Sequence, residues 1–334
     1  MNRALAAWLA CCCICPAFAD PCTLTKSDLI ARPARDQGPT VVELRLYVND
    51  IIAIHDAEQS FVGDVLFRAD WRDARLAHTG ATPCSVTAGR VWTPVLQLLN
   101  RRHLERIRDP ELLVAADGNV TYTLRSYGEF SFRADLSDFP FDRQELSFNI
   151  VSTHGKKDVT LATKPEFLGL AEELSVANWQ VAMHGSRSLT QYVPPVDRHL
   201  VRLDVVLDAK RLTGYYTWQQ LVPLLLVVMM TWVVFWIPQE FVPPRVGLAA
   251  TSMLTLIAYR FAMSSVLPPI AYLTRLDIFM IGSSILVFAG LATAVAVTHI
   301  AEQHSQDLAN RVNRAARWVS PLGLGLVACY AYFS

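Results

Sequence analysis

The stretch that decides the fold is VGLAATSMLTLIAYRFAMSSV, residues 246–266. It has about the twenty residues that cross a hydrocarbon layer as a helix, yet hydroxyl side chains interrupt its apolar residues. Six residues recur at steps of four and three and so share one helix face: Gly247, Thr251, Leu254, Ala258, Phe261 and Ser265. Because polar groups are costly in hydrocarbon, we expect this stripe to face water or the interior of a bundle.

Two interpretations of the stripe remain open. Rings of Leu254 and Phe261 from several subunits could form a constriction that closes by dewetting, with the other stripe residues lining a pore. Because one chain offers only one such helix, a pore would need a ring of identical subunits. Alternatively, the serine and threonine hydroxyls only hydrogen-bond to backbone carbonyls inside an inert bundle.

Three further apolar segments accompany this one. Together with 246–266, the predicted transmembrane spans are 218–237, 276–298 and 317–333. Four spans return the C-terminus to the side of the N-terminus. The stretch from His299 to Arg317, up to the start of the last span, carries Arg311, Arg314 and Arg317, so the positive-inside bias places it in the cytoplasm.

Residues before Arg211 follow a different pattern. Runs such as 42–48 and 199–205 alternate polar and apolar side chains, which predicts half-buried strands. Turn-forming clusters separate these runs, and no helical pattern lies between them. The sequence therefore predicts an antiparallel, immunoglobulin-like β-sandwich over 20–214, followed by a four-helix transmembrane bundle over 215–334.

The composition agrees with a membrane protein that has a large water-facing part. Charged residues make up 18% of the 334, below the quarter that is typical of soluble domains. With 30 basic and 30 acidic side chains, the chain lacks the basic excess of a nucleic-acid-binding protein. It has no nucleophile elbow, metal-spaced histidines or phosphate-cradling glycine loop, so neither an enzyme nor a cofactor is expected.

The N-terminus has the features of an export signal over 1–19, because Arg3 precedes an apolar run and a small-residue cleavage site. Removal of this segment leaves Cys22, Cys84 and Cys329. Cys22 and Cys84 lie in the exported part and could pair, but the sequence does not fix the pairing.

Six distinct motifs are spread along the chain: Trp71-Arg72-Asp73-Ala74-Arg75-Leu76, Trp92-Thr93-Pro94, Phe139-Pro140-Phe141-Asp142, Arg211 ahead of Pro223, Arg245-Val246-Gly247-Leu248 and Leu267-Pro268. In these motifs the chain resembles the pentameric ligand-gated ion channels, or Cys-loop receptors, and particularly their prokaryotic members. The resemblance covers nearly the whole mature chain.

The resemblance implies a homopentamer around a central pore, in which a stimulus at the sandwich opens a passage lined by the second span. The implied partners are four identical subunits, membrane lipid, permeant monovalent ions and either a small-molecule agonist or protons. The implied location is the bacterial inner membrane, with the sandwich outside. The alternative function is a membrane-anchored periplasmic binding or adhesion module whose helices conduct nothing.

The chain departs from the animal receptors at several positions. Phe132 and Leu146 occupy the positions of the loop cysteines, which is the prokaryotic pattern. Leu66, Leu99 and Thr153 fall where the family places ligand-binding aromatic residues. Because cation binding by aromatic faces needs those faces, these departures disfavour recognition of an amine.

Four other side chains are candidates for sensing a ligand or protons. Tyr192, in a strand-connecting loop, keeps an aromatic ring at a ligand-binding position. Arg68 lies two residues beyond Leu66 on the same strand face and could receive a carboxylate, or could be a solvated strand arginine. His154 and His199 could titrate near neutral pH and confer pH gating.

Five residues are implied to couple the sandwich to the helices. Asp142 and Arg211 would meet at the boundary, where partial burial strengthens a charge pair. Pro140 would shape the loop tip, and Pro268 would stiffen the linker beneath it. Asp56 lies in another loop at this end of the sandwich, although a solvated turn explains it almost as well.

The residues before the second span bear on ion selectivity. Cation-selective relatives place a glutamate where Pro244 stands, and Pro243-Pro244-Arg245 resembles the mouth of animal anion channels. A ring of Arg245 side chains would favour anions; the alternative is an arginine that points away from the lumen, since arginine also occurs here in cation-selective relatives. Glu240 could supply a negative ring. On balance the sequence predicts anion preference.

Overall fold

A computed structural model describes residues 31–107, 109–263, 269–303 and 305–333. The predicted export signal at 1–19, together with Ser265 and Pro268, lies outside these residues. Cys84 is disulfide-bonded. Its proposed partner Cys22 also lies outside the described residues, so that pairing stays a prediction.

Among the described residues, twelve strands form the N-terminal part of the chain. They are β1 (Thr40–His55), β2 (Ser60–Arg72), β3 (Cys84–Val86), β4 (Leu96–Leu98), β5 (Arg101–Arg106), β6 (Glu111–Val114), β7 (Asn119–Ser131), β8 (Arg143–Gly155), β9 (Val159–Ala162), β10 (Leu168–Leu170), β11 (Trp179–Val193) and β12 (Arg198–Arg211).

These strands form two sheets, which confirms the predicted sandwich. The larger sheet runs β10-β1-β2-β7-β6-β3, with β5 also paired to β7 and β9 to β1. The smaller sheet runs β11-β12-β8-β4. Pairing is antiparallel throughout, except that the short strands β9 and β10 run parallel to β1. The alternating pattern did not reveal these two parallel pairs, because alternation does not encode strand direction.

Side chains from both sheets meet in one core. The four aliphatic residues of 42–48 are at most 2% exposed, as a period of two requires when one face of a strand is buried. Phe61 and Phe130 of the larger sheet meet Phe148 of the smaller one with ring centroids 5.3 and 4.8 Å apart, respectively. Aromatic contacts of this kind join the two sheets at the helix-facing half of the sandwich.

In the described part of the chain after the sandwich, there are four long helices. They are α1 (Gly214–Trp236), α2 (Val242–Met263), α3 (Arg275–Gln303) and α4 (Gln306–Phe333). Among the described residues, α1, α2 and α3 are long and apolar enough to cross a membrane. The first half of α4 carries Asp307 and three arginines, and the helix does not meet that criterion. The predicted span 317–333 falls in its apolar second half and stays a prediction.

Candidate functional site

Arg211, the last residue of β12, is buried where the sandwich meets the helices. The carboxylate of Asp142 accepts from its Nε at 2.7 Å and its Nη2 at 3.0 Å. The carboxylate of Asp56 accepts from its Nη1 at 2.8 Å and its Nη2 at 2.9 Å. Nη1 also donates to Tyr216 Oη at 3.1 Å. All five N–H donors of the guanidinium therefore have an acceptor.

Three aromatic rings enclose this guanidinium. Its central carbon, Cζ, lies 4.1 Å from the ring centroid of Trp179, 4.9 Å from that of Phe139 and 5.4 Å from that of Tyr216. Burial disfavours the charged form of Arg211, but the hydrogen bonds and charges of the two carboxylates outweigh burial and raise its pKa. The guanidinium is therefore charged at every physiological pH, and the two bidentate pairs fix its plane.

Gln144 fixes the position of the Asp142 carboxylate. Its Nε2 donates to Asp142 Oδ2 at 2.5 Å and to the backbone oxygen of Asp135 at 2.6 Å. Its Oε1 accepts from the backbone N–H of Asp135 at 3.0 Å. The loop that carries Asp142 is thus closed on itself by one buried amide. Sequence reasoning missed Gln144, although its position two residues after Asp142 on an alternating strand places both side chains on one face.

The loop before β8 also rests directly on α3. The backbone N–H of Arg275 donates to Ser137 O at 3.1 Å, and that of Leu276 donates to Phe139 O at 3.3 Å. The guanidinium of Arg275 lies 2.9 Å from Asp138 Oδ1. Because these contacts join backbone to backbone, a displacement of the loop must displace the start of α3.

Pro140 lies behind this contact, as a wall residue of an apolar cavity of about 260 Å³. Leu225 of α1, Phe279 of α3 and Tyr332 of α4 line the same cavity. The tip of the sandwich loop therefore faces three of the four helices across this cavity, where the sequence analysis placed a coupling residue.

The stripe predicted on α2 is exposed along its described length. Leu254 is 68% and Phe261 74% exposed, and Gly247, Thr251 and Ala258 are exposed with them. The opposite face is buried against the other helices and consists of Arg245, Ala249, Ser252 and Leu256. The helix therefore has one face that is buried in the subunit and one face that is exposed.

Hydroxyl groups on both faces of α2 bond to their own helix. Thr251 Oγ1 donates to Gly247 O at 2.8 Å, and Ser252 Oγ donates to Leu248 O at 2.9 Å. These are the backbone bonds that the inert-bundle interpretation requires. Because Thr251 is exposed, its oxygen lone pairs remain accessible to water as well, and the pore interpretation stands beside the other.

Arg245 is not on the stripe, contrary to the expectation of an arginine ring at the mouth. It is fully buried, and its Nη2 donates to Asn313 Oδ1 of α4 at 2.8 Å. The physical reason is helical geometry, because two residues turn a helix by about 200° and so set Arg245 opposite Gly247. Glu240 and Pro244, the other two selectivity candidates, are exposed.

The ligand-binding candidates fall into two sets on different sheets. Leu66 and Arg68 belong to β2 of the larger sheet, whereas Leu99, Thr153 and Tyr192 lie on or beside β4, β8 and β11 of the smaller one. Among the described residues, no hydrogen bond or ring contact joins the two sets. One subunit therefore does not assemble them into one site.

Two of these candidates are already engaged by acidic neighbours. Arg68 donates from Nε and Nη2 to the carboxylate of Asp70 at 2.9–3.1 Å. Tyr192 Oη donates to Asp197 Oδ1 at 2.8 Å, and this hydrogen bond raises the pKa of the phenol. The ring of Tyr192 lies 5.0 Å from that of His199. A carboxylate ligand at Arg68 would have to compete with Asp70.

His154, the other candidate for proton sensing, is partly buried beside the sandwich core. Its ring centroid lies 5.4 Å from that of Trp92, and its Nε2 lies 3.3 Å from Thr93 O. Trp92 in turn meets Trp71 edge to face at 6.1 Å. Both tryptophans are buried, which places them in the packing of the sandwich.

Comparison with known proteins places these features in one family. The model of the neurotransmitter-gated ion-channel ligand binding domain matches residues 23–199, and that of the neurotransmitter-gated ion-channel transmembrane region matches 220–326. The gamma-aminobutyric acid receptor subunit gamma-1 of Homo sapiens is 29% identical over 270 residues, covering 78% of this chain and 58% of the relative. Subunit gamma-3 of Homo sapiens is 28% identical over 278 residues, covering 80% and 59%.

These relatives are animal proteins, so the expectation of a prokaryotic member stays a prediction. The chain spans somewhat under three fifths of the length of the curated relatives it matches. Both the sandwich and the helices are matched, in the order in which the family arranges a ligand-binding domain and a transmembrane region. The chain belongs to the neurotransmitter-gated ion-channel family, the Cys-loop receptors.

Proposed function

We propose that this chain is one subunit of a homopentameric ligand-gated ion channel whose pore is lined by α2. The observation that carries the proposal is the exposed stripe of α2, opposite a face that is buried in the subunit's own bundle. A helix that is apolar enough to cross a membrane gains nothing from exposing glycine and threonine to lipid. A ring of five such stripes gives each of them water to face.

The apolar end of the stripe is the proposed gate. Leu254 and Phe261 are both more than two-thirds exposed, so five copies would present two apolar rings to the axis. Rings of this kind close a narrow pore by excluding water, without having to meet. Ser265 would continue the stripe at the outer end.

The Arg211 cluster is the proposed coupling element. Asp142 and Asp56 come from two loops of the sandwich, whereas Arg211 immediately precedes α1. A ligand that favours one arrangement of the sandwich loops would therefore favour one position of α1 and α3. Pro268, in the linker before α3, would transmit the same displacement to α2.

The agonist would bind between neighbouring subunits. The two sets of candidate residues lie on different sheets of one subunit, so the larger sheet of one protomer and the smaller sheet of the next would complete the site. The names of the relatives make gamma-aminobutyric acid the first compound to test, and protons acting at His154 or His199 are the second stimulus.

We further propose anion preference and a location in the bacterial inner membrane with the sandwich outside. The proline pair before Arg245 supports the first, and Glu240 is the opposing charge to remove in a test. The arginines at the start of α4 support a cytoplasmic side for that helix end.

The test is current recording from the purified protein in planar bilayers under a salt gradient. We expect agonist- or proton-dependent currents, with a reversal potential near that of the anion. Leu254→Ser should ease opening because it wets the constriction, whereas Leu322→Ser on α4, where leucine is 67% exposed, should leave gating unchanged. Well-assembled oligomers that conduct nothing under any stimulus would favour the non-conducting binding module.

A further inference from the structure

Arg245 is a buried cation that the structure leaves largely unpaired. Its side chain is fully buried, and its only side-chain hydrogen bond within the described residues is from Nη2 to Asn313 Oδ1. The donors on Nε and Nη1 have no acceptor there. A buried guanidinium without a carboxylate is costly, because neither water nor an opposite charge compensates for its lost hydration.

Two further electrostatic effects disfavour a cation at this position. Arg317 of α4 is close enough for its positive charge to act unfavourably on Arg245. Arg245 also stands in the first turn of α2, which begins at Val242, where the helix dipole presents its positive end. Burial, the charge of Arg317 and the dipole of α2 thus all disfavour the guanidinium at this position. A specific contact must therefore keep it there.

Asn313 makes that contact. Its Nδ2 donates to Phe235 O at the end of α1 at 2.9 Å, which turns its Oδ1 toward Arg245. Arg317 Nε donates to the same carbonyl at 2.9 Å and so forms a second hydrogen bond between α4 and the end of α1. Asn313 is buried and belongs to α4, so one amide ties the ends of α1, α2 and α4 together.

We infer that Asn313 is a positioning residue that keeps the Arg245 guanidinium away from the permeation path, and that its loss releases the charge to the cytoplasmic mouth of the pore. This inference rests on the proposed channel function. Glu240 and Asn313 line the same polar cavity of about 480 Å³, so the holding contact lies next to the linker that forms the mouth. A released arginine there attracts anions and offsets Glu240.

The test is a double-mutant cycle on the reversal potential under a salt gradient. Asn313→Leu should raise the anion-to-cation permeability ratio severalfold, because five guanidinium groups move toward the axis. The matched control is Asn310→Leu, one turn earlier, whose side chain lines the same cavity but bonds Gln239 at 3.2 Å; it should leave the ratio unchanged. In the Arg245→Gln background, Asn313→Leu should have no effect on the ratio. An equal shift in both backgrounds overturns the inference, since a merely structural role does not require the arginine.

A second variant keeps the inference testable if Asn313→Leu does not assemble or if the wild type passes no current. Asn313→Asp removes the donor to Phe235 O in either background, but it places a carboxylate beside the guanidinium only where Arg245 is present. The change should therefore lower the melting temperature of the purified oligomer much more in the Arg245→Met background, where the carboxylate is unpaired. An equal change in both backgrounds overturns the inference. A silent wild type contradicts only the proposed function.

Discussion

Two buried arginines mark the two ends of the helical domain, and they are held in opposite ways. Arg211, at the sandwich end, gives all five donors to acceptors, four of its bonds going to the carboxylates of Asp142 and Asp56. Arg245, at the start of α2, has one amide oxygen as its side-chain acceptor within the described residues. Burial alone therefore does not indicate what a charge contributes; its partners do.

The two arginines therefore have different roles. A paired arginine resists removal of either partner and holds two domains in one arrangement. An unpaired arginine has an alternative state in water, so it can be released by the loss of a single contact. The next four predictions test this contrast, in order of decreasing effect.

The largest effect is expected for Arg211→Met. The change leaves two carboxylates facing one another without a cation, of which that of Asp142 is only 1% exposed. We expect the free energy of unfolding to fall by about 3–5 kcal/mol, with loss of the assembled oligomer. Thermal melting and size-exclusion chromatography of detergent-purified protein measure both. Arg211→Lys keeps the charge without the two bidentate pairs, so its stability should fall between those of Arg211→Met and the wild type. A wild-type melting curve for Arg211→Met would show that Arg211 does not hold the sandwich and the helices together.

Asp142→Asn should have the next largest effect. It removes the more buried of the two charges and weakens the bonds from Arg211 and Gln144. A loss of about 2–3 kcal/mol and a rightward shift of the agonist response are expected. Wild-type gating and stability together would show that Arg211 needs only one carboxylate.

Asp56→Asn should have a smaller effect than Asp142→Asn. Its carboxylate is 11% exposed, so water compensates part of the loss. The cluster also carries one negative charge in excess, and this substitution removes it. We expect a loss of about 1 kcal/mol by thermal melting. Equal losses for the two aspartates would contradict the ranking by burial.

Arg245→Met should have the smallest effect on the free energy of unfolding. The methionine removes an uncompensated buried charge but leaves Asn313 Oδ1 without a donor. The stability should therefore stay within about 1 kcal/mol of the wild type or rise above it. A loss as large as that of Arg211→Met would show that Arg245 has a partner in the assembled oligomer.

Much of the contact between the sandwich and the helices around Arg211 could be predicted from the sequence, because Asp142 and Arg211 stand in recognisable motifs. Trp179 and Tyr216 could not, because they reach the guanidinium only through tertiary packing. The sequence also contained enough information to choose between the two orientations weighed for Arg245. The same steps of four and three that define the stripe also align Arg245 with Ala249, Ser252 and Leu256 on the opposite face.

The limits of sequence reasoning are clearest in α4. The apolar run suggested a span starting at residue 317, whereas the helix begins at Gln306. The charged first half of the helix does not belong to an apolar run, so the search for apolar runs missed it. That half nevertheless contributes Asn313 and Arg317 to the inner end of the bundle. A contact between residues 68 positions apart, such as Arg245 with Asn313, has no local signal.

The most direct test of the account is cysteine accessibility along α2, recorded as block of current by a thiol reagent in a Cys329→Ser background. Cysteines at Gly247, Thr251, Leu254, Ala258 and Phe261 should each allow block of the open channel. Cysteines at the buried positions Ala249, Ser252 and Leu256 should not. Block at the buried positions with none along the stripe would contradict the claim that α2 lines the pore with its exposed face.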